Sequence, residues 1–401
     1  MKVLMLGWEL PPHNSGGLGV ACYELCRSLS NSGVDIEFVI PYTAEHDIKF
    51  MTITPAHPQG VQEVIKSGIA YDSYKYIYSD QSTEWVDIFT QSKVYEKSIS
   101  KIVDSSEFDI IHAHDWLTFR AGIRAKQISG KPLVLHVHSI EHDRSGGRYG
   151  NPLVREIEQL AFLMADKIVA VSELTKRKIS KYYNIPAHKI DVVHNSIDIY
   201  SKLPLDNSNT YKYLTLLKEK GYRVVVNIGR LTIQKNLPNL LYSAQKVISL
   251  NPKVIFLFVG NGELERQLLE LSAELGISQN VIFTGFQRGK AWRDAYAIGD
   301  LFVMPSISEP FGLTPLEAIG YGTPALVSKQ SGVSEVVNNC LKVDYWDVDE
   351  MANQIGAVVG NDALRDELHK NSLKEYSKLS WDKSTDKLIS LYNRQLRSAV
   401  A

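Results

Sequence analysis

Along the chain, short runs of consecutive apolar residues alternate with longer segments whose apolar positions recur with helical spacing. In the first half the runs are Val3–Leu6, Ile36–Ile40, Ile110–His112, Leu133–Val137, Ile168–Val171 and Ile190–Val193. In the second they are Val224–Ile228, Val254–Val259, Val281–Phe283, Leu301–Met304 and Ala325–Val327. They are rich in Val and Ile and mostly do not alternate with polar residues, as strands buried on both faces of a parallel sheet require. The segments between them read as crossover helices. Leu18–Leu29 is one, with apolar residues at 18, 21, 22, 25, 26 and 29. Each half therefore predicts a doubly wound α/β unit.

A break follows Asn195-Ser196-Ile197-Asp198, in the polar stretch Lys202–Tyr211 that holds Pro204, Asp206, Asn207, Ser208 and Asn209. This predicts an N-terminal domain over 1–200 and a C-terminal domain over 201–380, with a late helix over 381–401. A chain of 401 residues exceeds what one core usually supports, which fits two domains. The segment Tyr71–Tyr95 is aromatic, with Tyr71, Tyr74, Tyr76, Tyr78, Trp85, Phe89 and Tyr95. It reads as strands and a covering loop of the first domain, with a stacking platform for an acceptor sugar as the alternative.

Composition narrows the function classes. The formal net charge of −1 gives no electrostatic support for a nucleic-acid partner. The three cysteines, Cys22, Cys26 and Cys340, are too few for a disulfide framework. Cys22 and Cys26 share one helix and read as core thiols, with metal or redox work as the alternative. No run approaches the roughly 18 apolar residues of a membrane span. Met1-Lys2 leads straight into Val3–Leu6, too short for the apolar region of a signal peptide. The chain reads as cytoplasmic.

Candidate chemistry gathers at strand ends. Gly16-Gly17-Leu18-Gly19 lies between the first strand and the first helix, where glycines admit a ligand to a helix N-terminus. It departs from the dinucleotide fingerprint, and no acidic residue closes the second strand, since Glu37 lies within it. A nicotinamide cofactor is thereby disfavoured. Gly229-Arg230-Leu231 ends a later strand and Lys235 follows; a planar fork and a point charge together suit a diphosphate. Glu309-Pro310-Phe311-Gly312-Leu313-Thr314-Pro315-Leu316-Glu317 follows the strand Leu301–Met304. Gly312 permits close backbone approach, and the amides at Leu313 and Thr314 would open a helix toward an anion. Thr314 and Glu317 also spell a capping box, a structural role that competes with ligand binding. Asp347-Val348-Asp349 has the form of a metal motif but precedes a helix, where acids favour the dipole. The histidines lack a tight metal-ligand spacing with cysteines. No metal is expected.

The spacing of Glu309 and Glu317, with Gly229-Arg230-Leu231 and Lys235 upstream, resembles the nucleotide-sugar site of the retaining GT-B glycosyltransferases of family four. The likeness covers nearly the whole chain. It implies two Rossmann-like domains facing a cleft, with the last helix crossing back to the first domain. By this resemblance Glu309 contacts the transferred sugar, Glu317 binds the ribose hydroxyls, and Arg230 and Lys235 clamp the diphosphate. Gly16 and Gly17 close over the phosphates, Phe286 lies near the base, and Phe311, Gly312, Leu313 and Thr314 complete the donor site. Asp109–Trp116 and His136-Val137-His138-Ser139 resemble the glycogen and starch synthase branch. There His138 holds the position of a histidine against the donor sugar. His112 and His136 read as core residues within strands, while His114 and Asp115 are open to acceptor or supporting roles.

Two departures stand out. Ser196 replaces the usual glycine of an Asn-Gly-Ile-Asp turn, which must then avoid positive φ or bear its strain, and Glu317 is not typical of the synthases acting on long glucans. What the resemblance implies is a retaining, metal-independent transfer of a hexose without a cofactor, glucose from UDP- or ADP-glucose first among them. The acceptor is an α-1,4-glucan, or a small sugar, sugar phosphate or lipid. A sugar-nucleotide 2-epimerase and a non-catalytic nucleotide-sugar binder are the other classes.

Overall fold

In the computed structural model the first apolar run folds as β1 (Lys2–Leu6), followed by β2 (Asp35–Ile40) and a short β3 (Thr52–Pro55). An antiparallel trio comes next, β4 (Val61–Ser67), β5 (Ser73–Tyr78) and β6 (Thr83–Asp87). Then come β7 (Ile110–His114), β8 (Leu133–Val137), β9 (Lys167–Ala170) and β10 (Ile190–Val192). Structure is described for all residues except 15, 57, 59, 68–72, 199–202, 207 and 401. The seven-stranded sheet has the order β10-β9-β8-β7-β1-β2-β3 and parallel pairing. Its strands β7 and β8 are wholly buried, which suits their mostly Val, Ile and Leu sequences, with His112, His114 and His136 as the polar exceptions.

The second sheet contains β11 (Arg223–Ile228), β12 (Val254–Val259), β13 (Val281–Phe283), β14 (Leu301–Met304), β15 (Ala325–Ser328) and β16 (Leu341–Val343). Their order is β13-β12-β11-β14-β15-β16, again parallel. In each sheet the strand order reverses beside the first strand, at β1/β7 and at β11/β14. Open α/β sheets bind ligands at the carboxyl ends of strands flanking such a reversal.

The chain divides into two compact units. One comprises Met1–Glu141, Asn151–Ser196 and Ser380–Ala401; the other comprises His142–Gly150 and Ile197–Leu379. The helix Trp381–Val400 belongs to the first unit and packs on the helix Gly17–Asn31. Thr385 donates to Ser28 Oγ at 2.9 Å, Ser384 donates to the His194 carbonyl at 2.7 Å, and Leu388, Leu391 and Tyr392 are buried.

Three sequence expectations are refined here. The polar stretch before Tyr211 is tied into the second unit: Asp294 accepts from Thr210 N and Oγ1 at 2.7 Å, and Tyr321 Oη accepts from Leu203 N at 3.1 Å. Ser196 is buried and is not among the residues with positive φ, so the turn avoids the left-handed region. Of the aromatic segment, Tyr71 lies outside the described residues, Tyr74, Tyr76 and Tyr95 are buried, and Tyr74 and Tyr95 pack edge-on against Trp8. They serve the core, although Trp85 is exposed.

Candidate active site

In the second unit the predicted residues converge on the β11/β14 reversal. Gly229 and Arg230 follow β11, and a short helical turn over Ile233–Lys235 delivers Lys235. Asn236 closes that turn at φ 56°, and its Nδ2 donates to the carbonyls of Pro305 and Tyr345 at 3.1 and 2.7 Å. Asparagine tolerates this left-handed geometry better than most residues. The turn therefore presents Lys235 from a braced backbone. Lys235 Nζ forms an ion pair with Glu309 Oε2, to which Ser306 Oγ also donates at 3.2 Å.

Glu309 is 9% exposed. Its backbone bridges to the strand-like segment at Ser331, with Glu309 N donating to Gln330 O at 3.0 Å and Gly332 N to Glu309 O at 2.9 Å. A nearly buried carboxylate requires such a charged partner. Arg230, by contrast, is half-buried and pairs with no carboxylate among the described residues. Gly312 sits at φ 95°, and a Cβ there would lie 2.8 Å from Met304 Cε and 3.1 Å from Glu309 Cγ. Both the conformation and the space select glycine.

The capping expectation is overturned. The helix runs Thr314–Gly320 with Leu313 at its N-cap, so Thr314 is already inside it and makes no side-chain cap. Thr314 Oγ1 instead points at Met304 Sδ, 3.7 Å away. Glu317, freed from capping, accepts from Tyr296 Oη at 2.6 Å. Burial pushes its carboxyl up to about 7, with the Tyr296 hydrogen bond working the other way. Phe286 is 38% exposed beyond β13, with Arg288 stacked 5.1 Å over its ring. Phe311 is buried, and its carbonyl accepts from Val333 N at 2.7 Å. Asp347 caps the helix Val348–Gly360, accepting from Glu350 N at 2.9 Å.

The remaining predicted residues belong to the first unit. Gly16 is the extended N-cap of the helix Gly17–Asn31, and its carbonyl accepts from Asn14 Nδ2 at 3.0 Å. Alternation along β7 and β8 puts His112, His114, His136 and His138 on one face of the sheet. The four rings stack: His112 on His114 at 4.5 Å, His112 on His136 at 5.2 Å and His136 on His138 at 4.4 Å between centroids. His114 Nδ1 and His138 Nε2 are 2.9 Å apart, and His112 Nδ1 bonds Tyr392 Oη. Burial first, and the neighbouring rings second for the other three, hold all four imidazoles below their ordinary value, His138 at about 3. The stack is neutral at physiological pH. Asp115, at φ 59°, receives His138 N at 2.7 Å and Ser139 N at 3.2 Å on Oδ1, and so fixes the loop that carries His138.

Sequence reasoning treated these histidines separately; the structure makes them one cluster. While Asn236 is legible as tightening its loop, sequence reasoning also missed Tyr296, Ser306 and Tyr392. No short motif announces these residues, because each reaches its partner through the fold.

Two Rossmann-like units with cationic and carboxylate groups at the sheet reversal define a GT-B fold of the kind that handles activated sugars. Residues 15–200 match the family described as Glycosyltransferase Family 4, and residues 215–375 match Glycosyl transferases group 1. The chain belongs to the GT-B glycosyltransferases. A protein of Methanocaldococcus jannaschii described as an uncharacterized glycosyltransferase is 27% identical over 98% of both chains. The D-inositol 3-phosphate glycosyltransferase of Mycolicibacterium smegmatis is 24% identical, over 96% of this chain and 87% of its own. The glycogen synthase of Mycobacterium tuberculosis is 23% identical, over 84% and 80%. Among solved structures, sucrose-phosphate synthase from Thermosynechococcus elongatus superposes with a TM-score of 0.77 at 17% identity, over 100% of both chains. Anabaena HepE, solved with UDP and glucose, gives 0.73 at 18% identity, over 98% of this chain and 100% of its own. No helix among the described residues is long and apolar enough to cross a membrane.

Proposed function

We propose that this chain is a retaining hexosyltransferase that takes glucose from UDP- or ADP-glucose and passes it to a carbohydrate acceptor. The observation that carries the reading is the Lys235–Glu309 ion pair beside the β11/β14 reversal, with Arg230 directly after the end of β11. Two cations there suit a diphosphate that gains negative charge as its bond to the sugar breaks. Glu309, already seated on Lys235, would lie against the sugar beside that charge. Glu317 would receive the ribose hydroxyls, for which an ionised carboxylate is the better acceptor. His138 would hold the sugar as a neutral ring, through a hydrogen bond and not as an acid, and Asp115 would position it.

Retention without a covalent enzyme intermediate follows if the acceptor attacks the face from which the diphosphate departs. A phosphate oxygen would take the acceptor proton. Catalysis then rests on positioning and charge stabilisation, with no cofactor and no divalent metal. An α-1,4-glucan is the first acceptor in this reading, supported by the glycogen synthase likeness. A small sugar or sugar phosphate is the second, favoured by the departure at Glu317 and by the inositol 3-phosphate relatives.

The test supplies UDP-glucose or ADP-glucose with glycogen or glucose 6-phosphate, in EDTA, and reads nucleotide release and the anomeric proton of the product by NMR. Acceptor-dependent release and an α-linked product are expected. A β-linked product, an absolute requirement for added magnesium, or release indifferent to acceptor would each overturn the corresponding part.

A further inference from the structure

The histidine stack meets a thiol. Cys22, on the helix Gly17–Asn31, faces β7 and β8, and the ligand atoms of Cys22, His114 and His138 lie within 4.8 Å of one another. Met5 Sδ lies 2.9 Å from His114 Nε2, adding a second sulfur beside the same ring. Polar atoms in this cluster are under-satisfied: His112 Nε2 and both ring nitrogens of His136 are buried without a partner.

We propose that Cys22, His114 and His138 bind a single copper(I) ion, which shuts the transferase off. A thiolate and two imidazoles form a soft set, and soft sulfur ligands select copper(I). The charges agree. Copper(I) with one thiolate is neutral, as a buried site requires, whereas a divalent ion would leave net charge in the interior. A structural zinc site also takes four protein ligands, and this group offers three. The alternative trio His112, His114 and His136 supplies no anion. Burial keeps the Cys22 thiol protonated in the free protein. Binding forms the copper–sulfur bond and releases the thiol proton to solvent, with no change in oxidation state.

Metal capture takes His138 away from the donor sugar, so transfer stops. This inhibitory arm rests on the role proposed above for His138; the binding arm does not.

The whole chain is titrated anaerobically with copper(I) held by bicinchoninate, and the bound ion is examined by X-ray absorption. One copper per chain, with sulfur and nitrogen scatterers, is expected. Cys22→Ala should abolish capture while keeping activity without copper, and Cys26→Ala should still bind. If Cys22→Ala does not fold, Cys22→Ser preserves the shape and is expected to lose the ion as well. Undiminished binding by the Cys22 variants, or preference for zinc over copper in direct competition, overturns the site. Copper bound through Cys22 with full activity retained overturns the inhibition and the role of His138, while leaving the site itself supported.

Discussion

The two units carry opposite chemistry on their sheets. At β11/β14 the groups carry fixed charge: Arg230, and Lys235 locked to Glu309. Along β7 and β8 the groups are imidazoles stripped of charge by burial, stacked and shared with a helix hydroxyl. Charged groups are suited to gripping a diphosphate, and neutral rings to touching a sugar without repelling or protonating it. The comparison separates holding charge from holding shape, and mutations should separate them too.

The largest effect is expected at the charged end. Truncating one member of a desolvated charge pair costs about 2–5 kcal/mol, so Arg230→Ala and Lys235→Ala should each lower kcat/KM by tens to thousands of fold. Stability should tell them apart. Lys235→Ala leaves Glu309 buried and unpaired and should lower Tm, while Arg230→Ala should leave Tm near wild type. Equal melting of the two variants would refute the ion pair as a structural element.

Next, the two glutamates should divide. Glu309→Gln should mainly lower kcat, because its contact with the sugar grows as the bond breaks, and Glu317→Gln should mainly raise the donor KM. Steady-state kinetics with varied donor decide this. A Glu309→Gln change confined to KM would reverse the assignment.

The pH dependence gives the comparison opposite signs. Each buried histidine has a folded value below its unfolded value near 6.5, so its contribution is complete above pH 6.5 and is lost on acidification. The slope is about 1.4 kcal/mol per pH unit for each histidine, and for His138 it extends down toward 3. Glu317 runs the other way: raised from 4.5 to about 7, it favours the fold at low pH, and that contribution fades as pH climbs through 7. Urea titrations from pH 5 to 8 should show His136→Gln removing a rise in stability between pH 5 and about 6.5, and Glu317→Gln removing a fall between pH 5 and about 7. Donor KM should also rise as pH falls below about 7 in wild type and not in Glu317→Gln.

The smallest effect is expected at Thr314. A capping threonine loses about 1 kcal/mol on truncation to alanine, but Thr314 lies inside its helix and caps nothing. Thr314→Ala should therefore shift stability by less than about 0.5 kcal/mol, the range of substitutions away from special features. A full capping loss in Tm would restore the capping box.

Much of this was legible from the chain. Buried parallel strands write themselves as apolar runs, and β1, β2, β11, β12 and β14 appear in those runs almost to the residue. Among the edge strands β10 and β13 appear there too, but β3 and β16 do not. β3 and β16 are short and only partly covered, so their sequences carry no such pressure. Arg230, Lys235 and Glu309 could be placed because strand ends are readable and cations beside glycines are conspicuous. Their pairing could not, since it joins residues 74 apart in sequence. The capping reading of Thr314 failed by one position: the helix begins at Thr314 itself, and sequence leaves such a shift open. Tyr296 was invisible because it reaches Glu317 from a separate helix, Gly289–Ala297.

The chain passes between the two units more than once, and this bears on how the protein is made. His142–Gly150 is translated with the first unit but packs in the second, where Asp143 bonds Ser308. Ser380–Ala401 is translated last but completes the first, where Tyr392 reaches His112 across 280 residues. On the ribosome, where domains otherwise fold in order of synthesis, the first unit to emerge must wait for the final helix. Its histidine face lacks Tyr392 until then, and long-range closure of this kind is slow. A fragment cut at Ser196 would inherit the same defect permanently, and its counterpart beginning at Ile197 would lack the strap containing Asp143. Neither half should refold as a faithful copy of its unit, so the two are modules in space but not in time.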